Sequence, residues 1–204
     1  MLTTLDSLKL RLAIADTDVT SDDLLTSVIE AVSARFENET NRTLARAENA
    51  TFELEADQCE ISPPCYPIES VSKLETKVSE AAGWVEQTGI DYLIRQSCLV
   101  SLTEPLNNGQ TGSVQLSTIN PALARITYSG GYVLPGTDPE PGQTPLPADL
   151  EHACIEQCAA WFLHRDKVGL EINWPKGGIY QRFVQLPLLP SVSAILKKYQ
   201  RWSI

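Results

Sequence analysis

Residues 172–204 of this chain contain no aspartate or glutamate, although the full 204 residues carry 26 acids against 16 bases and a net charge of −10. All the acid lies in residues 1–171, and the closing stretch keeps five bases: Lys176, Arg182, Lys197, Lys198 and Arg201. Other absences narrow the function. The five cysteines (Cys59, Cys65, Cys98, Cys154 and Cys158) are odd in number and have no tight spacing, which argues against a secreted disulfide scaffold. No apolar run approaches the roughly 20 residues of a membrane span. Asp6, Lys9 and Arg11 interrupt the early apolar residues, so no signal peptide is expected, and the sequons at Asn38, Asn41 and Asn49 read as chance matches. A strongly acidic chain is also a poor general binder of nucleic acid, whose phosphates are held by Lys and Arg.

Groups for catalysis are equally sparse. The two histidines, His152 and His164, stand about 3.3 turns apart on one expected helix and face different sides. A general base needs a nucleophile or an orienting carboxylate within reach. Glu151 and Asp166 are their sequence neighbours and do not face the imidazoles. Cys154 and Cys158, at i and i+4 with His152 nearby, could grip a metal from one helix. A closed zinc site needs four ligands, however, and the other cysteines lie in a different segment, so a pair of small buried hydrophobes is the plainer reading. Asp22-Asp23 is explained by the favourable field at a helix start. Gly109-Gln110-Thr111-Gly112-Ser113 lacks the lysine of a phosphate loop and reads as a hairpin turn. No G-x-S-x-G, H-E-x-x-H or C-x-x-C occurs. No enzyme activity, metal or cofactor is expected.

What is present is a helix–strand–helix order. Thr4 can cap a short first helix in which Leu5, Leu8 and Leu12 recur at helical spacing. Ser21 precedes a longer second helix with an apolar stripe of Leu25, Val28, Ile29, Val32 and Phe36, and Asn41 is a plausible left-handed stop. From about residue 51 the texture becomes strand-like. Thr51 to Leu54 alternates, and Ile68 to Val78 reads as a strand by position despite helical spacing of its apolar residues. Trp84-Val85, Tyr92 to Ile94, Cys98 to Leu102 and Arg125 to Tyr128 are further candidates, the last ended by Gly130-Gly131. Five prolines mark residues 135–147 as an extended loop, and Pro147 suits the first turn of a third helix running to about Arg165. Leu150, Cys154, Gln157, Trp161 and Phe162 share one side of it. Pro187 and Pro190 frame a last short helix from Val192 to about Arg201.

The expected fold is therefore α+β: two N-terminal helices and a long third helix in a small bundle, an inserted antiparallel β-rich subdomain, and an extended C-terminal tail with a short helix. The divisions fall at 1–50 for the helix pair, 51–134 for the insertion, 135–147 for the loop, 148–170 for the third helix and 171–204 for the tail. The tail is the feature most in excess of structural need. Aromatic residues and arginine are enriched at interface cores, which makes Trp174, Lys176, Tyr180, Arg182, Phe183, Leu188, Leu189, Lys197, Lys198, Tyr199, Arg201 and Trp202 the candidate assembly surface. Removing residues 188–204 is expected to leave a folded domain that no longer docks.

In the order of its elements, the chain resembles the head-to-tail connector, or adaptor, family of tailed bacteriophages and prophages. Leu5-Asp6-Ser7-Leu8-Lys9, then Asp23-Leu24-Leu25 through Ala34 to Thr40-Asn41-Arg42, is similar to that family's helix pair. Pro67-Ile68-Glu69-Ser70-Val71, Gly83-Trp84 and Asp91-Tyr92 resemble its β insertion. Ile126 to Tyr132, Leu146 to Leu150 and Trp161 to Arg165 resemble its strand-to-third-helix passage, and Leu188-Leu189-Pro190 with Leu196 to Tyr199 its C-terminal end. The proline-rich loop is longer than the family pattern leads one to expect.

The resemblance implies a virion protein made in the bacterial cytoplasm. It would form a homo-oligomeric ring, commonly of twelve subunits, beneath the portal protein and above a stopper or tail-completion protein. DNA would pass through without sequence-specific binding, and no membrane is involved. Twelve copies would carry about −120 of charge, which suits a conduit that repels phosphates. A closed ring needs a heterologous interface, two different surfaces of each subunit meeting, and an acid-free tail reaching an acidic neighbour would supply one. Other classes compatible with the sequence are a stopper- or terminator-type tail component, a small metal-dependent enzyme using Cys154, Cys158 and His152, and a host-derived protein-binding module.

Overall fold

The computed structural model describes residues 1–106, 122–165, 171–173, 180–182 and 188–201, with 171–173 and 180–182 described by their backbone. The fold is α+β and divides into two compact units. The first takes in Met1–Thr40, Leu134–Thr137 and Leu146–Gln200, and the second Asn41–Val133, Asp138–Pro145 and Arg201–Ile204.

The first unit is helical. Helix α1 (Leu5–Leu12) starts where the Thr4 hydroxyl accepts the Ser7 amide and ends at left-handed Ala13 (φ 56°). Helix α2 (Asp22–Thr40) follows a polar turn and stops at Asn41, whose φ of 52° is the left-handed break expected from the sequence. Leu25, Ile29, Val32 and Phe36 are buried along one face of α2, so the stripe seen in the sequence is a core face. The insertion of the other unit intervenes before helix α3 (Ala148–Leu163), which buries Leu150, Ala153, Cys154, Gln157, Cys158 and Phe162. Helix α4 (Pro190–Leu196) begins at Pro190, two residues before the expected start, because proline is favoured in a first helical turn. It gives way at Lys197–Tyr199 to a single 3-10 turn, short of the expected end at Arg201.

Val192 and Leu196 of α4 are 1% and 3% exposed, and the Leu189 amide donates to buried Gln157 Oε1 at 2.8 Å. Burial of each apolar side chain contributes roughly 1.5–3 kcal/mol. The segment from 188 onward is therefore part of the helical core, and its removal would open that core rather than trim an independent arm. This corrects the expectation that a chain shortened at 188 keeps its fold.

A buried ion pair ties α1 to α2. Lys9 is 3% exposed and its ammonium lies 2.6 Å from Asp22 Oδ1. A buried ammonium is costly unless paired, so Asp22 has a structural role beyond the helix field assigned to it from the sequence.

The second unit is built on a four-stranded antiparallel sheet in the order β1–β7–β3–β4, from β1 (Ala47–Glu55), β7 (Leu123–Gly130), β3 (Ile68–Lys77) and β4 (Val85–Glu86). Strand β7 is the centre, with Ile126 opposite Phe52 on one side and Leu74 on the other. Its residues alternate exposed or half-buried with buried, so Ala124, Ile126 and Tyr128 form a core with Leu74, Ile68 and Cys65. Beside it, β2 (Glu60–Ile61), β6 (Leu99–Leu102) and β5 (Tyr92–Arg95) make a three-stranded sheet that adds Ile61, Val100 and Leu102 to the same core. Ile68 to Lys77 is a strand despite its helical spacing, because sheet partners on both sides supply its backbone hydrogen bonds. The loop at 135–147 is not wholly without a folded element. A two-residue strand β9 (Thr144–Pro145) pairs in parallel with β8 (Tyr132–Val133). Two short strands in the tail, β10 (Glu171–Asn173) and β11 (Tyr180–Arg182), pair antiparallel.

The end of β7 is the tightest point of this unit. A Cβ on Gly130 would meet Pro67 O at 2.5 Å, and one on Gly131 would meet Ala45 O at 2.7 Å and Cys65 Sγ at 2.8 Å, with Gly131 at φ +101°. Gly142 is also left-handed (φ +94°) but has open space around it. Gly131→Ala is therefore expected to destabilise by about 2–4 kcal/mol in denaturant unfolding, and Gly142→Ala by about 1 kcal/mol. Equal losses would remove the steric argument.

Candidate assembly surface

The candidate tail residues fall into three groups. Trp174, Lys176, Phe183 and Trp202 lie outside the described residues, as do the side chains of Tyr180 and Arg182 and the Gly109–Ser113 turn. Leu188, Leu189, Tyr199 and Arg201 engage their own chain. The two leucines are half-buried, the Tyr199 hydroxyl donates to Asp149 Oδ1 at 2.6 Å, and Arg201 donates to Ser62 O through Nε at 3.1 Å and Nη2 at 2.6 Å. Lys197 and Lys198 form the third group. Both are exposed on the 3-10 turn after α4, and neither makes an ion pair among the described residues. Of the described tail, these two ammonium groups are what faces outward with charge to offer.

The acids gather elsewhere. Helix α2 carries Asp22, Asp23, Glu30, Glu37 and Glu39 against one base, Arg35, which pairs with Glu39 at 2.7 Å. Asp23 and Glu30 are exposed. A helix so charged repels other anions and offers a surface for cations. On the main sheet of the second unit, Arg125 pairs with Glu75 at 2.9 Å and lies 4.2 Å from the Trp84 ring, while Glu53 and Glu55 are exposed on β1.

The groups that could have carried chemistry are placed for structure. Cys154 and Cys158 are fully buried with their sulfurs 3.9 Å apart. The Cys154 contact and burial push the Cys158 thiol well above its ordinary range, so it is held neutral. The His152 side chain is 69% exposed. No group of three metal-binding side chains occurs among the described residues. His164 is exposed at the end of α3, where its amide donates to Ala160 O.

Glu156 is the partner that sequence reasoning missed. It lies 4.0 Å from His152 Nε2, one turn along α3, and it accepts from Arg11 of α1 through Nε at 2.6 Å and Nη2 at 3.1 Å. The i to i+4 spacing could have revealed the first contact, but only packing of α1 on α3 reveals the second. The Arg11 hydrogen bonds hold the Glu156 carboxyl below its ordinary range, against a smaller opposing effect of burial. A lowered carboxylate stabilises the fold above its unfolded titration range and loses that contribution as pH falls through the folded value. Glu156→Gln should thus be slightly less stable than the parent at pH 6. The gap should close as pH falls below about 4, measured by urea unfolding. A gap that persists at pH 2 would point to packing instead.

The model of the phage gp6-like head-tail connector protein family matches residues 2–86, and the sequence resemblance to that family is thereby borne out over the helix pair and the first part of the β insertion. No curated protein matches the chain. Among solved structures, the fold is similar to a chain in the neck of an empty gene transfer agent particle, with a TM-score of 0.55 and 14% identity over 98% of this chain and 90% of that one. It is equally similar to a chain in the virion of the native gene transfer agent particle, with a TM-score of 0.55 and 16% identity over 98% and 90% of the two chains. These likenesses establish a shared fold.

Proposed function

We propose that the chain is a structural subunit of a phage or prophage neck. It forms a ring under the portal that joins capsid to tail and surrounds the channel through which DNA leaves. The observation that carries this reading is the connector-family match over residues 2–86. The fold shared with gene transfer agent neck and virion chains over 98% of the sequence supports it. The protein acts by assembly and not by catalysis.

Charge supplies the means. Oppositely charged patches steer encounters and fix register more than they add raw affinity. Exposed Lys197 and Lys198, in a segment without acid, meet the acid-rich α2 of the next copy or an acidic surface of the portal. The two patches differ, so the contact is heterologous and can close a ring. The surplus of acid left over keeps DNA mobile in the channel.

Two measurements check this. Mass spectrometry and electron microscopy of particles from the source phage or induced prophage should find the chain in the virion, at the neck, in a ring. Its absence from virions would sink the reading. Lys197→Glu combined with Lys198→Glu should leave unfolding within about 0.5 kcal/mol of the parent, because both residues are exposed. It should weaken ring or portal assembly, and parental assembly should weaken with added salt. Undiminished assembly of the double variant would refute the role given to these lysines.

A further inference from the structure

The second unit leaves one sheet edge without the usual protections. A free edge is a row of unpaired N–H and C=O groups that invites another strand, and proteins blunt it with shortness, charge or a bulge. In the four-stranded sheet, β4 is two residues long. β1, at the other edge, carries exposed Glu48, Glu53 and Glu55 and a bulge between Ala47 and Ala50, where Asn49 is left-handed at φ 53°. In the three-stranded sheet, β2 is two residues long, and the opposite edge is β5, Tyr92-Leu93-Ile94-Arg95. Its first three residues are uncharged, none is proline, and Leu93 is 61% exposed.

The register shows which backbone groups of β5 are free. The Thr103 amide donates to Asp91 O at 3.1 Å, so Asp91 and Thr103 form a hydrogen-bonded pair at the start of the β5–β6 ladder. By alternation, Leu93 with Ser101 and Arg95 with Leu99 are hydrogen-bonded pairs too. The Leu102 amide fits this pattern, since it turns away from β5 and donates to Cys59 O. Tyr92 and Ile94 therefore aim their N–H and C=O groups at the open edge, and no backbone group among the described residues meets them. The tail has the complementary deficit. Strands β10 and β11 pair with each other and with no other described strand. A two-stranded hairpin is marginal by itself and gains stability from a third strand.

We propose that β11 of a second copy of the chain adds to the free edge of β5 and extends the three-stranded sheet to five strands, in the order β2–β6–β5–β11–β10. Backbone hydrogen bonds to Tyr92 and Ile94 supply the affinity, and Leu93 adds apolar contact. Charge selects β11 over β10. Exposed Asp91 directly precedes β5, and β10 begins with Glu171, whereas residues 172–182 hold Lys176 and Arg182 and no acid. Edge and hairpin are two different surfaces, so the contact is heterologous and can close a ring. The inference shares with the proposed function the association of copies, but it needs no portal or capsid. Absence of the chain from virions would remove the neck reading and leave this one standing.

The test follows amide hydrogen exchange in the full-length chain by NMR as its concentration is raised, with light scattering measuring its size. The Tyr92 and Ile94 amides should exchange freely in the dilute monomer and about tenfold more slowly in the associated chain. Amides within Tyr180–Arg182 should slow over the same range. The Leu93 amide, already paired with Ser101, is the control and should be slow throughout. Leu93→Lys puts a charge on the edge and should raise the concentration of half-association about tenfold. Val85→Lys, at a residue 52% exposed on β4, should leave that concentration unchanged. Tyr92 and Ile94 amides that are slow even in the dilute monomer would mean that the chain covers its own edge. A chain that stays monomeric, or that associates with these amides still open, would place the contact between copies elsewhere. Each of these results overturns the proposal, as does a Leu93→Lys chain that associates like the parent.

Discussion

The second unit depends on how closely the chain crosses itself at the end of β7. Gly130 and Gly131 let the backbone pass against Pro67, Ala45 and Cys65 at distances no side chain would permit. Around that crossing the polar groups are interlocked. The Tyr128 hydroxyl accepts the Cys65 amide at 3.1 Å, and Cys65 Sγ lies 3.3 Å from Ala45 O and 3.2 Å from Gly130 O. Burial pushes the Tyr128 hydroxyl up to about 12, so it stays protonated. The same crossing delivers Tyr132 to Arg42 immediately after Gly131, with Tyr66 just past Cys65, so the packing of Arg42 against these two rings is built on this constraint.

The helical unit rests on a different balance. Apolar faces of α2, α3 and α4 supply the core, and polar pairs fix how the elements meet: Lys9 with Asp22, Arg11 with Glu156, Gln157 with the Leu189 amide, and Tyr199 with Asp149. Exposed pairs of this kind add little stability by themselves. The buried ones matter because an unpaired charge or amide there would be costly. These contacts also turn much of the apparent tail inward. The acid-free segment contributes to the fold of its own subunit before it can contribute to any neighbour, and its outward charge among the described residues is concentrated at Lys197 and Lys198.

The ring proposed for this chain would need surfaces that differ in charge sign without strong affinity for phosphate, and an acidic α2 and a basic C-terminal turn would meet that need with ordinary electrostatics. The buried thiols and exposed histidines, the residues most suggestive of chemistry, are accounted for by packing and solvation.

Local patterns were legible in the sequence because they are set within a few residues. The Thr4 cap, the α2 stripe, the left-handed stop at Asn41, the strand ended by Gly130-Gly131 and the third helix all follow from capping, periodicity and backbone freedom. So did the α+β class, the resemblance to connectors, and the separation of acid from the last residues. Short strands such as β2, β8 and β9 were not legible, since two residues carry no period of their own and become strands only through a partner. Nor was the fate of individual charges. Whether Lys9 is buried, whether Glu156 meets Arg11, and whether Arg201 reaches Ser62 are decided by contacts between residues 13 to 145 positions apart. The energy of such contacts exists only after the chain has closed around them.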